Sequence, residues 1–265
     1  MTLLSPLYVV QITDTHLFAD PRQQLLGLPT MESFGAVLQK VNRLEPRPDV
    51  LLLTGDMSQD GKPESYAFLL QALNQLGIPA YWLPGNHDCL QVMEAVLAGG
   101  VVSSKKSFRV GGWHFLMLNS QEPGRVHGRL SPKTLTWLES QLQRTGNSPV
   151  VVGLHHPPFR VCSRWLDDST LQNPGALFAV LDRYPNVKLV LFGHIHQVFC
   201  KQRKHIHYLG TPSTSIQFQP NSSNFALDQE APGFRVLRLD PDGTWWTIVE
   251  RVNYAHQSDL AAMGY

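Results

Sequence analysis

The sequence predicts an α/β layered fold, and three observations lead there. Short apolar runs alternate with amphipathic helical segments over the first three quarters of the 265 residues, the pattern of sheets covered by helices. The runs are almost continuously hydrophobic, as strands buried on both faces are. Beyond about residue 205 the helical period disappears while strand patterns persist, so a second sheet packed on the first is expected. The length suffices for one sizeable core. Residues 1–265 therefore read as a single domain, mainly β from about 205, where the chain completes the second sheet.

The elements follow in chain order. Residues 8–12 form the first strand. A helix over 31–44 is marked by Phe34, Val37, Leu38 and Val41, spaced to make one buried stripe. After a strand at 50–53, the same spacing recurs over 64–76 in Tyr66, Leu69, Leu70 and Leu73, and Gly77 stands where a left-handed cap ends a helix. A strand at 80–83 leads to a hairpin over 107–119 around Gly111-Gly112. Ser131 as N-cap and Pro132 at the first helical position open a helix that turns Leu135, Leu138 and Leu142 inward and stops at Gly146. Strands at 150–154 and 188–192 follow, then three more at 213–218, 234–239 and 245–252.

Composition narrows the function. Hydrophobic residues make up 43% and charged residues 16%, and no run approaches the roughly 18 apolar residues that span a bilayer. Membrane partners are not expected. The start, Met1-Thr2-Leu3-Leu4-Ser5-Pro6, has no basic n-region and no small-residue cleavage site, which suggests a cytoplasmic protein. Cys89, Cys162 and Cys200 are widely spaced and odd in number, so they read as reduced thiols and not as a disulfide or zinc framework. A net charge of +1 provides no field for a polyanion. The cluster Lys201, Arg203 and Lys204 reads as a solvated face, short of the basic groove with interleaved aromatics that a nuclease needs.

The polar residues carry the chemistry. Each of the five apolar strands runs into a cluster of metal-ligand types: Asp14-Thr15-His16, Gly55-Asp56, Gly85-Asn86-His87-Asp88, His155-His156 and Gly193-His194-Ile195-His196. In α/β folds the carboxyl ends of strands converge on a crevice, so ligands far apart in sequence can meet there. On strand geometry Asp14 and His16 point to one side, as do His194 and His196. The glycines before Asp56, Asn86 and His194 allow sharp turns. One Asp-x-His or His-His pair alone signals little, but five clusters at five strand exits point to a metal site. His114, His205, His207 and His256 lack this context and read as structural or surface residues. His127 is left undecided, and Asp60 reads as an exposed loop carboxylate.

These motifs together resemble the signature of the calcineurin-like metallophosphoesterases, over residues 8 to about 196. Within that family the chain is similar to the bacterial class III 3′,5′-cyclic AMP phosphodiesterases, through 13–18, Trp165-Leu166-Asp167, 193–197, Thr211-Pro212-Ser213-Thr214, Gln217-Phe218 and Ser223-Asn224-Phe225. The resemblance implies a four-layer αββα sandwich with a dinuclear site at the carboxyl ends of its strands. Asp14, His16, Asp56 and His196 would hold one ion, Asp56, Asn86, His155 and His194 the other, with Asp56 bridging. It further implies that 3′,5′-cyclic AMP is opened to 5′-AMP by in-line attack of a hydroxide between the ions. His87 would protonate the leaving oxygen or contact the phosphoryl group beside Asn86, and His156 would contact substrate or support the shell.

Two cations a few Å apart neutralise a phosphodiester and lower the pKa of a water between them. Carboxylate, amide and imidazole ligands without thiolate suit two divalent or mixed-valence transition-metal ions, Fe or Mn first and Zn third. The expected partner is a small cyclic nucleotide, and the oligomeric state is left open, a homodimer included. The alternatives are another phosphodiester or pyrophosphate (a nucleic-acid end, a glycerophosphodiester, a lipid pyrophosphate) and a non-catalytic protein-binding scaffold. Such scaffolds typically lack the histidine that is present here as His87.

Overall fold

The computed structural model describes residues 5–254 and 258–264, so His256 and the first four residues lie outside the described residues. Its frame is two six-stranded sheets. Sheet one runs from Trp245–Arg251 through Gly233–Leu239, Leu7–Ile12, Val50–Thr54 and Ala80–Leu83 to Val102–Ser103. From Leu7–Ile12 onward its neighbours are parallel, and the first two pairings are antiparallel. Sheet two runs from Phe199–Arg203 through Ile206–Gly210, Val187–Phe192, Val150–Gly153 and Trp113–Met117 to Ser107–Val110, parallel except at its two edges.

Side-chain alternation along the strands builds the layers. Leu7, Val9, Val50 and Leu52 of sheet one meet Phe115, Met117, Val151, Leu189 and Leu191 of sheet two in a buried layer between the sheets. The intervening Val10, Ile12, Leu51 and Leu53 face Phe34, Val37, Tyr66 and Leu69 of the helices Thr30–Asn42 and Pro63–Leu76. On the far side, Val150, Val152 and Val190 meet Leu138, Leu142, Leu177 and Leu181 of the helices Pro132–Arg144 and Pro174–Leu181. Helix, sheet, sheet and helix are thus stacked in four layers. The caps act as expected: Gly77 has φ 69°, and the Ser131 hydroxyl accepts from the Thr134 N–H. Among the described residues no helix is long and apolar enough to cross a membrane.

Because the central strands of each sheet are parallel, they exit at one end, and a polar rung joins the sheets just below it. Gln11 Nε2 donates to Thr54 Oγ1 at 2.9 Å in sheet one and to the Phe192 carbonyl at 3.1 Å in sheet two. Thr211 donates to Gln11 Oε1 at 2.6 Å and accepts from Arg235 Nε at 3.0 Å. Burial pushes the Arg235 guanidinium down to about 10, which leaves it charged at neutral pH.

The C-terminal part corrects one expectation. Phe199–Arg203 and Ile206–Gly210 complete sheet two, but Gly233–Leu239 and Trp245–Arg251 extend sheet one beside Leu7–Ile12. An apolar strand pattern shows which face is buried and not which neighbour it pairs with. The expected strand at 213–218 is also mostly absent, since only Gln217–Phe218 pairs, with Leu227–Asp228. Ser213 and Ser215 bond to the Asp14 carbonyl at 2.6 and 3.1 Å, and Gln217 Nε2 donates to the Ser213 carbonyl at 2.8 Å. Such local side-chain bonds compete with a ladder.

Candidate metal centre and active-site cavity

The strand exits bring the predicted residues together by a route that strand geometry does not describe. Asp14, His16, Asp56, His194 and His196 have φ of 54°, 47°, 53°, 70° and 48°. Each left-handed residue costs on the order of 1–3 kcal/mol and persists only where its surroundings hold it. Here the exits hold one another: the Asp14 N–H donates to the Gly55 carbonyl and the His16 N–H to the Asp56 carbonyl, both at 3.0 Å. The His194 N–H donates to the Asp14 carboxylate at 3.1 Å, and the His87 N–H to Asp56 Oδ1 at 2.8 Å. Of the three glycines expected to allow turns, only Gly55 has a positive φ, 97°. Gly85 and Gly193 serve close approach instead, because a Cβ there would strike the Asp56 carboxylate and the Thr13 hydroxyl.

Asp88 and Gln59 were given no role by sequence reasoning, yet both support this arrangement. The buried Asp88 carboxylate accepts from the backbone N–H groups of Met57, Ser58 and Gly85 at 2.9–3.2 Å and from the Tyr66 hydroxyl at 3.1 Å, locking the Asp56 loop to the Asn86 loop. Burial and the nearby Asp56 raise it to about 7, against those hydrogen bonds. Gln59 Oε1 lies 2.6 Å from His16 Nδ1. No motif in the sequence marks that glutamine. Asp60 is half-buried and not an exposed carboxylate: it accepts from the Ala19 N–H at 3.0 Å and so ties the loop after His16 to its own.

The ligand atoms face one another. His196 Nδ1 donates to the Ile216 carbonyl and His155 Nδ1 to the Thr54 carbonyl, both at 2.8 Å. A carbonyl can only accept, so these bonds turn Nε2 inward in each ring. His196 Nε2 lies 3.2 Å from His16 Nε2 and 3.4 Å from Asp14 Oδ1. His155 Nε2 lies 3.1 Å from Asp56 Oδ2 and 3.2 Å from Asn86 Oδ1. Potential ligand atoms of Asp14, His16 and His196 fall within 4.8 Å of one another, and so do those of Asp14, Asp56 and His155, of His16, Asp56 and His87, and of His155, His156 and His194. Asp56 belongs to sets on both sides of the cluster, as a shared ligand must.

The electrostatics fit cations. Burial works to raise Asp14 and Asp56, but His196 beside the first and His155 beside the second outweigh it and keep both carboxyls below their usual range. Burial, aided by the neighbouring His87, pushes His16 down to about 3. Burial would lower His155 too, yet Asp56 lifts it to about 9. A proton is drawn to the place where a metal ion would serve better. His194 Nδ1 is buried without a hydrogen-bond partner, a state that costs about 1–3 kcal/mol unless another ligand satisfies it, and Asp56 Oδ2 meets only the His155 ring, at 3.1 Å. The residues present therefore fit a dinuclear metal cluster.

His156 stands apart from its neighbours. Its Nε2 donates to the Val126 carbonyl at 3.0 Å and its Nδ1 lies 2.8 Å from the Ser120 hydroxyl. Both nitrogens are engaged by protein groups, as a residue that supports the ligands would be. His127, undecided in the sequence, lies 3.1 Å from Glu122 at the cavity edge. His205 donates to the Tyr184 carbonyl at 3.0 Å, and His207 lies edge-on to Trp245, away from the cluster as expected. Arg203 and Lys204 pair with Asp182, while Lys201 lies over Phe159.

A cavity of about 1120 Å³ opens over the cluster. Its floor is Asn86, His87 and His194; Trp165, Leu166 and Phe225 form one wall, and Arg125, Val126 and His127 the other. Trp165 packs edge-on against Phe218 and Phe225 at 4.9 and 5.0 Å, and Phe218 stacks on His196 at 4.1 Å. Trp165 and Phe225, both in segments that carry the family resemblance, thus give the cavity an aromatic face. The segment from Thr211 to Ser215 instead lies buried under the ligands.

Comparison with known proteins agrees with this geometry. Residues 7–198 match the family described as calcineurin-like phosphoesterase. The chain is 55% identical over 250 residues to a 3′,5′-cyclic-nucleotide phosphodiesterase of Nostoc sp., covering 94% of each. It is 40% identical over 259 residues to the 3′,5′-cyclic adenosine monophosphate phosphodiesterase CpdA of Escherichia coli, covering 97% of this chain and 94% of the relative. Among solved structures, a dimetal phosphatase from Danio rerio superimposes with a TM-score of 0.66 at 13% identity, over 94% of this chain and all of that one, which concerns the fold alone.

Proposed function

The chain belongs to the calcineurin-like phosphoesterase family, and from that premise we propose that it is a metal-dependent phosphodiesterase that opens 3′,5′-cyclic AMP to 5′-AMP. The observation that carries this reading is a buried ligand cluster, centred on Asp56 and with His194 Nδ1 unpaired, under the floor of a cavity with an aromatic wall. Asp14, His16, Asp56 and His196 would hold one ion, and Asp56, Asn86, His155 and His194 the other; this oxygen and nitrogen set suits Fe or Mn, with Zn third. The bound pair supplies positive charge for the phosphate oxygens and lowers the pKa of a water between them.

This chain's own residues do the rest. Asn86 and His87 border the cavity floor, so the phosphate meets them as it reaches the cluster. His87 is half-buried, with its ring 5.0 Å from that of His16, and its backbone N–H is fixed on Asp56. On this reading it donates a proton to the departing ribose 3′ oxygen. Trp165 and Phe225 offer the base an aromatic surface, and His156 holds the 120–126 loop that closes the other side. The free thiols Cys89, Cys162 and Cys200 support the cytoplasmic location that the sequence suggests.

At about 1120 Å³ the cavity exceeds the ~300–1,000 Å³ of most small-molecule sites, which favours a second reading: other small phosphodiesters are cleaved as well. Product analysis with metal-loaded protein decides between them. 5′-AMP is the expected product of cyclic AMP, and 3′-AMP alone would contradict the leaving group. No turnover of cyclic AMP beside efficient cleavage of a nucleic-acid end, a glycerophosphodiester or a lipid pyrophosphate would select the second reading.

A further inference from the structure

His194 differs from the other histidines of the cluster in the ring atom it turns inward. His155 and His196 commit Nδ1 to carbonyls. His194 has the reverse arrangement: its Nε2 lies 3.0 Å from the Ser169 hydroxyl, and its Nδ1 is buried with no hydrogen-bond partner. The direction of the Ser169 contact is set by a third group. The hydroxyl has one proton, and the Leu166 carbonyl 2.8 Å away can only accept it. Ser169 Oγ is then left to accept from His194 Nε2–H, and Nδ1 carries the lone pair. In the opposite tautomer the hydroxyl would turn to His194 Nε2 and the Leu166 carbonyl would keep only the Ser169 N–H, at 2.9 Å, while His194 Nδ1–H would be buried among the ligands with no acceptor. Only the first arrangement leaves no buried N–H unpaired.

We infer that Ser169 is a positioning residue that fixes His194 in the Nε2–H tautomer and so makes Nδ1 the atom offered to the second metal ion. The inference rests on the proposed dinuclear reading. It gives the turn after Arg164–Asp167 two tasks. The same short segment puts Trp165 and Ser169 into the cavity wall and, through Ser169, orients a ligand on its floor. The turn is itself braced: Asp167 Oδ1 accepts from the Val161 N–H at 2.6 Å, and the Thr170 hydroxyl donates to the Asp167 carbonyl at 3.1 Å. A wall residue, Trp165, and the hydroxyl that orients a metal ligand, Ser169, thus belong to one braced segment.

The test uses the full chain with Ser169→Ala and Ser169→Thr, titrated with Mn²⁺ and followed by calorimetry. Two ions are expected in the wild type. Ser169→Ala should weaken the second by about 10- to 100-fold, the usual effect of losing a hydrogen bond behind a ligand, while the first ion binds as before, and Ser169→Thr should restore the second. Nitrogen NMR of histidine-labelled, metal-free protein gives a readout that folding alone does not move. His194 should titrate as the Nε2–H tautomer in the wild type and the Thr variant and as a mixture in Ser169→Ala. An Nδ1–H tautomer in the wild type, or unchanged affinity for both ions in Ser169→Ala, overturns the inference. Binding of fewer than two ions by the wild type overturns the dinuclear reading instead.

Discussion

The floor and the walls of the cavity are built on opposite principles. In the cluster beneath the floor, Asp14, His16, Asp56, His155 and His196 are completely buried. Their rings and carboxylates are fixed by partners from three or more chain segments, and strained backbone is held in place by neighbouring strand exits. On the walls, Arg125, Val126, Asp168 and Asn224 are exposed, and they sit on loops between elements. The contrast separates two tasks. Preorganised charge would serve the chemical step, whereas the wall loops would set which phosphodiester is accepted, with Ser169 the wall residue that reaches a ligand, His194.

The largest effect should follow from breaking the floor at its shared residue. Asp56 is the carboxylate that approaches both His16, at 4.0 Å, and His155, at 3.1 Å. Asp56→Ala should therefore lose both ions, and turnover should fall by about 10⁴ or more, beyond the range of a single acid–base group. Elemental analysis after metal reconstitution checks this. If both ions remain bound, the floor is not one unit and the shared-ligand reading fails.

This contrast also explains what the sequence disclosed. The convergence of Asp14, His16, Asp56, Asn86, His155, His194 and His196 was legible because these are residue types that suit metal ions and because parallel strands deliver them to one end. The four-layer stacking was legible only through family resemblance, since periodicity does not say which sheet Gly233–Leu239 joins. The left-handed backbone at Asp14 and His196 was not legible either: asparagine or glycine would have signalled it, while aspartate and histidine stand there for their side chains. Gln59 and Ser169 were invisible for a related reason. Supporting residues act through one hydrogen bond that many residue types in a loop could make, so only the fold shows which one does.

A second, smaller loss tests the junction of floor and wall. His87 belongs to a ligand-atom set with His16 and Asp56, yet it borders the cavity and is only half-buried. His87→Ala should leave metal content nearly intact and lower turnover by about 10²–10⁴, the contribution of a general acid or base. The loss should shrink for p-nitrophenyl esters, whose leaving group needs no proton. Equal losses on p-nitrophenyl esters and cyclic AMP would instead assign His87 to electrostatic stabilisation of the phosphoryl group.

The smallest effect is expected from the wall itself, and it is the sharpest test of the division. Trp165 lines the cavity and packs edge-on against Phe218 and Phe225. If it serves as a surface for the base, Trp165→Ala should raise KM for cyclic AMP by about 10-fold, within the ~1–3 kcal/mol of a base–aromatic stack. The value of kcat should stay near wild type, because contact made equally in ground and transition state is uniform binding. Trp165→Phe should recover most of the loss. Phe218 links the wall to the floor by stacking on His196 at 4.1 Å, so metal content must be measured in the same variants. Unchanged metal with a raised KM confirms that wall and floor are separable. A fall in kcat together with metal loss would show that the aromatic cluster holds His196 in place, and that the wall belongs to the catalytic frame.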